Sequence, residues 1–134
     1  YRGPPEVIVD VGHNVSAADR LVEFLDERPI AGCTLGVFSM LKDKPTAAVV
    51  ERLRGAIDHW YIAELQEDRA LSAVELEKFI LSGVTMSVRC CGLPQEAFHS
   101  AWEDAQSIDR IVVFGSTYLA GVILQTLDHE SAQA

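Results

Sequence analysis

Val7-Ile8-Val9-Asp10-Val11-Gly12-His13-Asn14 decides how the chain is read. Its three leading apolar residues have the pattern of a short buried strand. Asp10 to Asn14 then break the run as a loop. Asn14 or Ser16 can cap a helix that follows. In that helix Ala18, Leu21, Val22 and Leu25 fall on one face, and Pro29 ends it. The first unit is therefore strand, loop, helix.

The same unit recurs outward from this stretch. Cys33 to Phe38 reads as a second strand, followed by the polar turn Ser39 to Lys44. Pro45 suits a first helical turn, and the helix after it buries Val49, Val50, Leu53 and Ile57. Trp60-Tyr61-Ile62 is a third strand, and Trp60, Tyr61 and Trp102 read as core or core-edge residues. Gln66 to Arg69 is a charged loop. Ser72 and Glu75 have the spacing of a capping box before a helix that buries Leu76, Phe79 and Ile80. Gly83 stops that helix.

Met86 to Cys90 is a weaker fourth strand. Pro94 opens a helix with Phe98, Ala101, Trp102 and Ala105 inside. Ile111 to Phe114 is the fifth strand, and Gly115-Ser116 turns it into a last helix. That helix buries Leu119, Val122, Ile123 and Leu127. Fraying is expected over residues 1–4 and 129–134. Strands spaced by helices require right-handed crossovers and a mainly parallel sheet covered on both faces. The expected fold is α/β, a three-layer doubly wound single domain over residues 1–134.

Composition narrows the function. The chain has 134 residues, 49% hydrophobic and 23% charged, as in one ordinary globular domain. No apolar run is long enough for a membrane span, and no signal peptide is visible. The chain opens at Tyr1 without an initiator Met, so we read it as part of a longer protein. A net charge of −9 repels a phosphate backbone and disfavours a nucleic-acid partner. Cys33, Cys90 and Cys91 make a poor disulfide framework, and the four histidines are scattered. No metal ligands are expected here, and a reducing cytoplasm fits best.

In a sheet of this kind, ligands collect beyond the carboxyl ends of the strands. Three loops fall there. In the first, Asp10 can accept two hydrogen bonds, Gly12 allows close backbone approach, and His13 offers a donor and an acceptor. The plainer alternative is that Asp10 bonds nearby amides and His13 is a surface residue. In the second, Lys42 or Lys44 could neutralise a phosphate or carboxylate, or both could be solvated. In the third, the helix N-terminus at Ser116 could hold an anion, or Ser116 could be an ordinary cap. There is no P-loop, no Gly-x-Gly-x-x-Gly after the first strand and no nucleophile elbow.

Four stretches together carry a resemblance. Residues 7–14 resemble the Asp-x-Ala-His-Asn-Pro motif that opens the C-terminal domain of the Mur ligase superfamily. Met40-Leu41-Lys42-Asp43-Lys44 is similar to a Met-Leu-x-Asp-Lys-Asp turn of its folate branch. Trp60-Tyr61-x-Ala63-x-Leu65 and Phe114-Gly115-Ser116-x-Tyr118 resemble two further stretches of that branch. Val15, Gly12, Ser39 and Pro45 replace the family's proline, alanine, glycine and aspartate.

The resemblance is to dihydrofolate synthase/folylpolyglutamate synthase, whose C-terminal domain is Rossmann-like. It implies an ATP- and Mg2+-dependent amide ligase that adds L-glutamate to dihydropteroate or folate through an acyl phosphate. The P-loop and magnesium site belong to an N-terminal domain outside this chain, so the fragment alone is expected to be inactive. Asp10 would bind the ATP ribose. His13 and Asn14 would sit beside the nucleotide, with His13 acting near the acyl phosphate. Ser116, Lys44 and Lys42 would bind the substrate, in a monomeric enzyme with no nucleic-acid or membrane partner. The alternatives are a stand-alone nucleotide- or anion-binding regulatory module and a purely structural domain.

Overall fold

A computed structural model describes the backbone of residues 4–133 and the side chains of residues 4–129. Five strands, β1 (Glu6–Val9), β2 (Thr34–Phe38), β3 (His59–Ile62), β4 (Ser87–Cys90) and β5 (Arg110–Phe114), form one sheet. They alternate with helices α1 (Val15–Asp26), α2 (Thr46–Leu53), α3 (Ala73–Leu81), α4 (Pro94–Asp104) and α5 (Thr117–Gln133). All pairings are parallel, in the order β1-β5-β2-β3-β4. The α/β fold is as expected.

The order fixes the layers. From β1 through β4 the chain steps across the sheet in one direction, so right-handed crossovers put α1, α2 and α3 on one face. The chain then returns to place β5 between β1 and β2, which sends α4 and α5 to the other face. Each strand feeds both cores by alternation. Phe38, Trp60, Val112 and Phe114 join Leu21, Leu25, Leu53, Leu76 and Ile80 on the first side. Leu35, Val37, Tyr61, Ile111 and Val113 join Ala101, Leu119 and Ile123 on the second. Phe38, Trp60 and Phe114 pack as a trio, with ring centroids 4.9–5.7 Å apart.

The helix ends show which local signals the chain uses. Asn14, not Ser16, caps α1, its Oδ1 accepting from the Ala17 N–H at 2.9 Å. The helix stops at Asp26, three residues before Pro29. Pro45 is the N-cap of α2 and lies outside its first turn. Ile57 is buried, but in the turn after α2, not in the helix. Ser72 Oγ accepts from the Glu75 N–H at 3.2 Å, which is half of the expected capping box. The other half occurs at α4, where the Leu93 N–H donates to Glu96 at 3.4 Å and Pro94 starts the helix. Gly83 ends α3 at φ 71°, a backbone region suited to glycine.

Several expectations about burial and ends change; Val22, Phe79 and Ala105 are half-buried. Trp102 is 41% exposed, because the buried stripe of α4 is Pro94, Ala97, Phe98 and Ala101. Its ring covers Phe98 from outside at 6.1 Å. Val122 is half-buried, while Leu119, Ile123 and Leu127 are buried as expected. The backbone of α5 continues to Gln133, so helix persists where fraying was expected. Residues 1–3 and 134 lie outside the described residues.

Candidate functional site

Insertion of β5 between β1 and β2 creates the opening. The loops after β1 and β2 leave toward the α1–α3 face, and the loop after β5 leaves toward the other. Adjacent strand ends whose connections part in this way leave a crevice at the carboxyl edge. All three loops singled out in the sequence border it. The Asp10 N–H donates to the Val113 carbonyl at 2.8 Å, and the Gly115 N–H to the Gly12 carbonyl at 3.2 Å. On its other side Gly115 abuts the Ser39 carbonyl, leaving no room for a Cβ. Gly115 has φ 106° and is thus the knot that ties the three loops together.

Asp10 is half-buried, and its Oδ1 accepts the Gly12 N–H at 2.6 Å. That bond folds the loop back on itself and holds the carboxylate in place. Oδ2 has no hydrogen-bond partner among the described residues. Gly12 is also a close approach: a Cβ there would collide with Ala17 and with Asp10 Oδ1. His13 is half-buried in the same loop. Asn14 is exposed, with its Oδ1 committed to the α1 cap.

Ser116 is 4% exposed, and its Oγ accepts the Tyr118 and Leu119 N–H groups at 3.1 and 3.3 Å. Its hydroxyl is therefore a helix cap. Its proton remains available as a donor. Lys42 is exposed. Lys44 is half-buried, with Nζ 3.8 Å from the neighbouring Asp43 carboxylate. A feature the sequence reading missed holds this turn. Leu41 and Ala70 form an isolated antiparallel bridge, and the Lys42 N–H donates to the Arg69 carbonyl at 2.7 Å. The segment after β3 thus braces the lysine turn.

The edge itself is shallow. A recess of about 10 Å³ lies among Asp10, Gly12, Asn14 and Phe114. A hollow of about 600 Å³ lies on the flank between α2 and α3, lined by Arg54, Lys78 and Phe79 among others, and contains none of the candidate residues. The carboxyl edge is therefore one wall, suited to a ligand whose other contacts come from elsewhere. Among the described residues no group of three or more His, Cys, Asp or Glu is placed to hold a metal ion.

Cys90, the last residue of β4, and Cys91 sit at the same edge but at the far end of the sheet. Burial, aided by the Glu77 carboxylate 3.2 Å from Sγ, pushes the Cys90 thiol up to about 11. At neutral pH it stays protonated and is a poor nucleophile. Iodoacetamide labelling of Cys90 at pH 8 should be more than about ten-fold slower than that of a model thiol. Peptide mass spectrometry over time measures this, and equal rates would refute the assignment.

The chain is an open doubly wound α/β domain with a glycine-tied crevice and a helix start at the carboxyl edge of its sheet. The chain belongs to the Mur ligase family, glutamate ligase domain, which it matches over residues 1–117. It is 31% identical over 124 residues to dihydrofolate synthase/folylpolyglutamate synthase of Escherichia coli (strain K12), covering 92% of this chain and 28% of that protein. The counterpart from Haemophilus influenzae is 36% identical over 115 residues, covering 84% and 26%.

Solved structures agree. E. coli FolC in complex with DHPP and ADP superposes with a TM-score of 0.89 at 29% identity, covering 98% of this chain and 30% of that one. A bifunctional folylpolyglutamate synthase/dihydrofolate synthase with Mn, AMPPNP and L-glutamate bound gives 0.81 at 31%, covering 91% and 29%. The chain thus spans less than a third of the length of these relatives and corresponds to the C-terminal domain of FolC.

Proposed function

We propose that this chain is the C-terminal domain of an ATP-dependent ligase that joins L-glutamate to dihydropteroate, folate or both through an acyl phosphate. The observation that carries the reading is the convergence of the Asp10, Lys44 and Ser116 loops on Gly115 at one crevice. The fixed Asp10 carboxylate, with Oδ2 open, suits a pair of ribose hydroxyls. His13 in the same loop is suited to orient the nucleotide and to act beside the acyl phosphate. The amides at the start of α5 and the Lys44 and Lys42 ammonium groups favour the carboxylates of the incoming glutamate. Asn14 contributes through the α1 cap, by holding the loop in shape.

These residues position and stabilise charge, and none forms a covalent bond. The remainder of the ligase would bring the P-loop, the Mg2+ ligands and the pteroate pocket, so this domain alone is not expected to turn over. Two solved relatives are complexes, one with DHPP and ADP and one with Mn, AMPPNP and L-glutamate, which supports a nucleotide and glutamate as ligands of the full-length ligase. No helix among the described residues is long and apolar enough to cross a membrane.

The test is Asp10→Ala in the full-length ligase that carries this domain. Losing one charged acceptor is worth roughly 1.5–3 kcal/mol, so the KM for ATP should rise about ten- to a hundred-fold. His13→Ala should lower kcat instead. Steady-state kinetics on folded variants decides between this and a structural loop. Wild-type ATP dependence in Asp10→Ala would sink the ribose assignment.

A further inference from the structure

Ser39 carries a hydroxyl that the fold does not use. The residue is 1% exposed, and its Oγ has no hydrogen-bond partner among the described residues. A buried hydroxyl without a partner has given up its bonds to water, and native folds retain few such groups. Alanine would fill nearly the same space without that cost. Trp60 Nε1 is also unpaired, but its ring is packed within the Phe38 and Phe114 trio, on the other side of the sheet.

The position of Ser39 is specific. Its neighbours Phe38 and Met40 both belong to the core on the α1–α3 side. Alternation therefore turns Ser39 to the opposite side, where α5 begins. β2 and β5 are in register at Phe38 and Phe114, which brings Ser39 alongside Gly115. The Ser39 carbonyl abuts Gly115, immediately before Ser116 and the first turn of α5. There Ser116 Oγ engages the Tyr118 and Leu119 N–H groups. The Ser116 and Thr117 N–H groups have no partner among the described residues. An unpaired buried hydroxyl thus stands on the residue whose carbonyl abuts Gly115, and two unpaired amides follow Gly115 at the start of α5.

We propose that Ser39 Oγ donates a hydrogen bond to an anionic oxygen, carboxylate or phosphoryl, bound against the Ser116 and Thr117 amides. The proposal deepens the reading of the α5 start as an anion subsite and rests on it. A serine has three staggered χ1 wells, so one rotamer step re-aims the hydroxyl without moving the backbone. The residue gives up stability in the empty domain and regains a bond when the anion arrives.

The experiment uses the 134-residue chain labelled with 15N. L-glutamate and, separately, inorganic phosphate are titrated while the Ser116 and Thr117 amide signals are followed. Thermal melts of the ligand-free protein accompany them. Ser39→Ala should raise the ligand-free Tm by about 2–5 °C, since it removes an unpaired buried oxygen. The same variant should bind the anion about two- to twelve-fold more weakly. A response to glutamate alone identifies a carboxylate, and a response to phosphate alone a phosphoryl group. Equal affinity in wild type and Ser39→Ala overturns the role of Ser39 and leaves the Ser116 reading standing. A lower Tm in the variant also overturns it, because the hydroxyl would then have a structural partner. Silence of both amides toward both anions in the wild type overturns the two readings together.

Discussion

Gly115→Ala is expected to destabilise the domain by about 2–4 kcal/mol, with a fall in Tm of roughly 5–15 °C. Two causes add. The φ of 106° is strained for any residue with a Cβ. A Cβ there would also collide with the Ser39 carbonyl and lie 2.9 Å from the Phe38 ring. Neither neighbour can withdraw, because Ser39 continues directly from β2 and Phe38 belongs to the aromatic trio. Gly83→Ala is the matched control. Its φ is 71°, but a Cβ there would meet nothing within 4 Å, so only the conformational cost of about 1 kcal/mol is expected. Urea denaturation of both variants compares them. Equal losses would show that steric contact at Gly115 contributes nothing.

Arg110→Met is expected to cost about 2–4 kcal/mol although it touches no candidate site residue. Arg110 is 6% exposed at the start of β5. Its guanidinium donates to the Arg28 carbonyl at 2.6 Å, the Leu25 carbonyl at 3.4 Å and Thr34 Oγ1 at 2.9 Å. It therefore closes the C-terminal end of α1, whose last turn carries no basic residue of its own. Burial lowers its pKa, while Glu6, Asp58 and Asp26 act to hold the charge. Methionine keeps the stem and strands the acceptors. Arg110→Lys keeps the charge but not the fork, and should recover less than half of the loss. Denaturation midpoints of the three proteins measure this. A deficit under about 0.5 kcal/mol in the methionine variant would contradict the role.

That arginine also marks where the sequence stopped being legible. Periodicity and breakers located all five strands and five helices, because every strand but the weaker β4 contains an apolar run bounded by turn residues. They began β5 at Ile111, since a charged residue does not read as core. Only the tertiary neighbourhood of α1 explains why Arg110 is inside. Trp102 shows the opposite limit: helical spacing placed it near the buried face but could not tell core from rim, and it lies at the rim. Asp10, Ser116 and the lysine turn were legible as loops at one sheet edge. That they meet at Gly115 was not, because strand order is invisible to local pattern. The Leu41 and Ala70 bridge was likewise hidden, being a single non-local contact. Ser39 stood in the sequence only as a replacement of the family's glycine. Its unpaired oxygen needed the fold to be seen.

The strand order has a consequence for how the domain is made. β5 lies between β1 and β2 yet is the last strand to be synthesised; Val7 pairs with Ile111, across about a hundred residues. As the chain emerges from a ribosome, β2, β3 and β4 can pair in sequence, but β1 has no neighbour until residues 110–114 arrive. The slot between β1 and β2 must stay unfilled by any other segment, with its backbone groups unpaired, for most of translation. The crevice loops are therefore the final part of the domain to take shape. A polypeptide cut short before Arg110 carries Asp10 and the lysine turn but has nothing to join them. Truncated products are in this way barred from presenting a half-formed crevice.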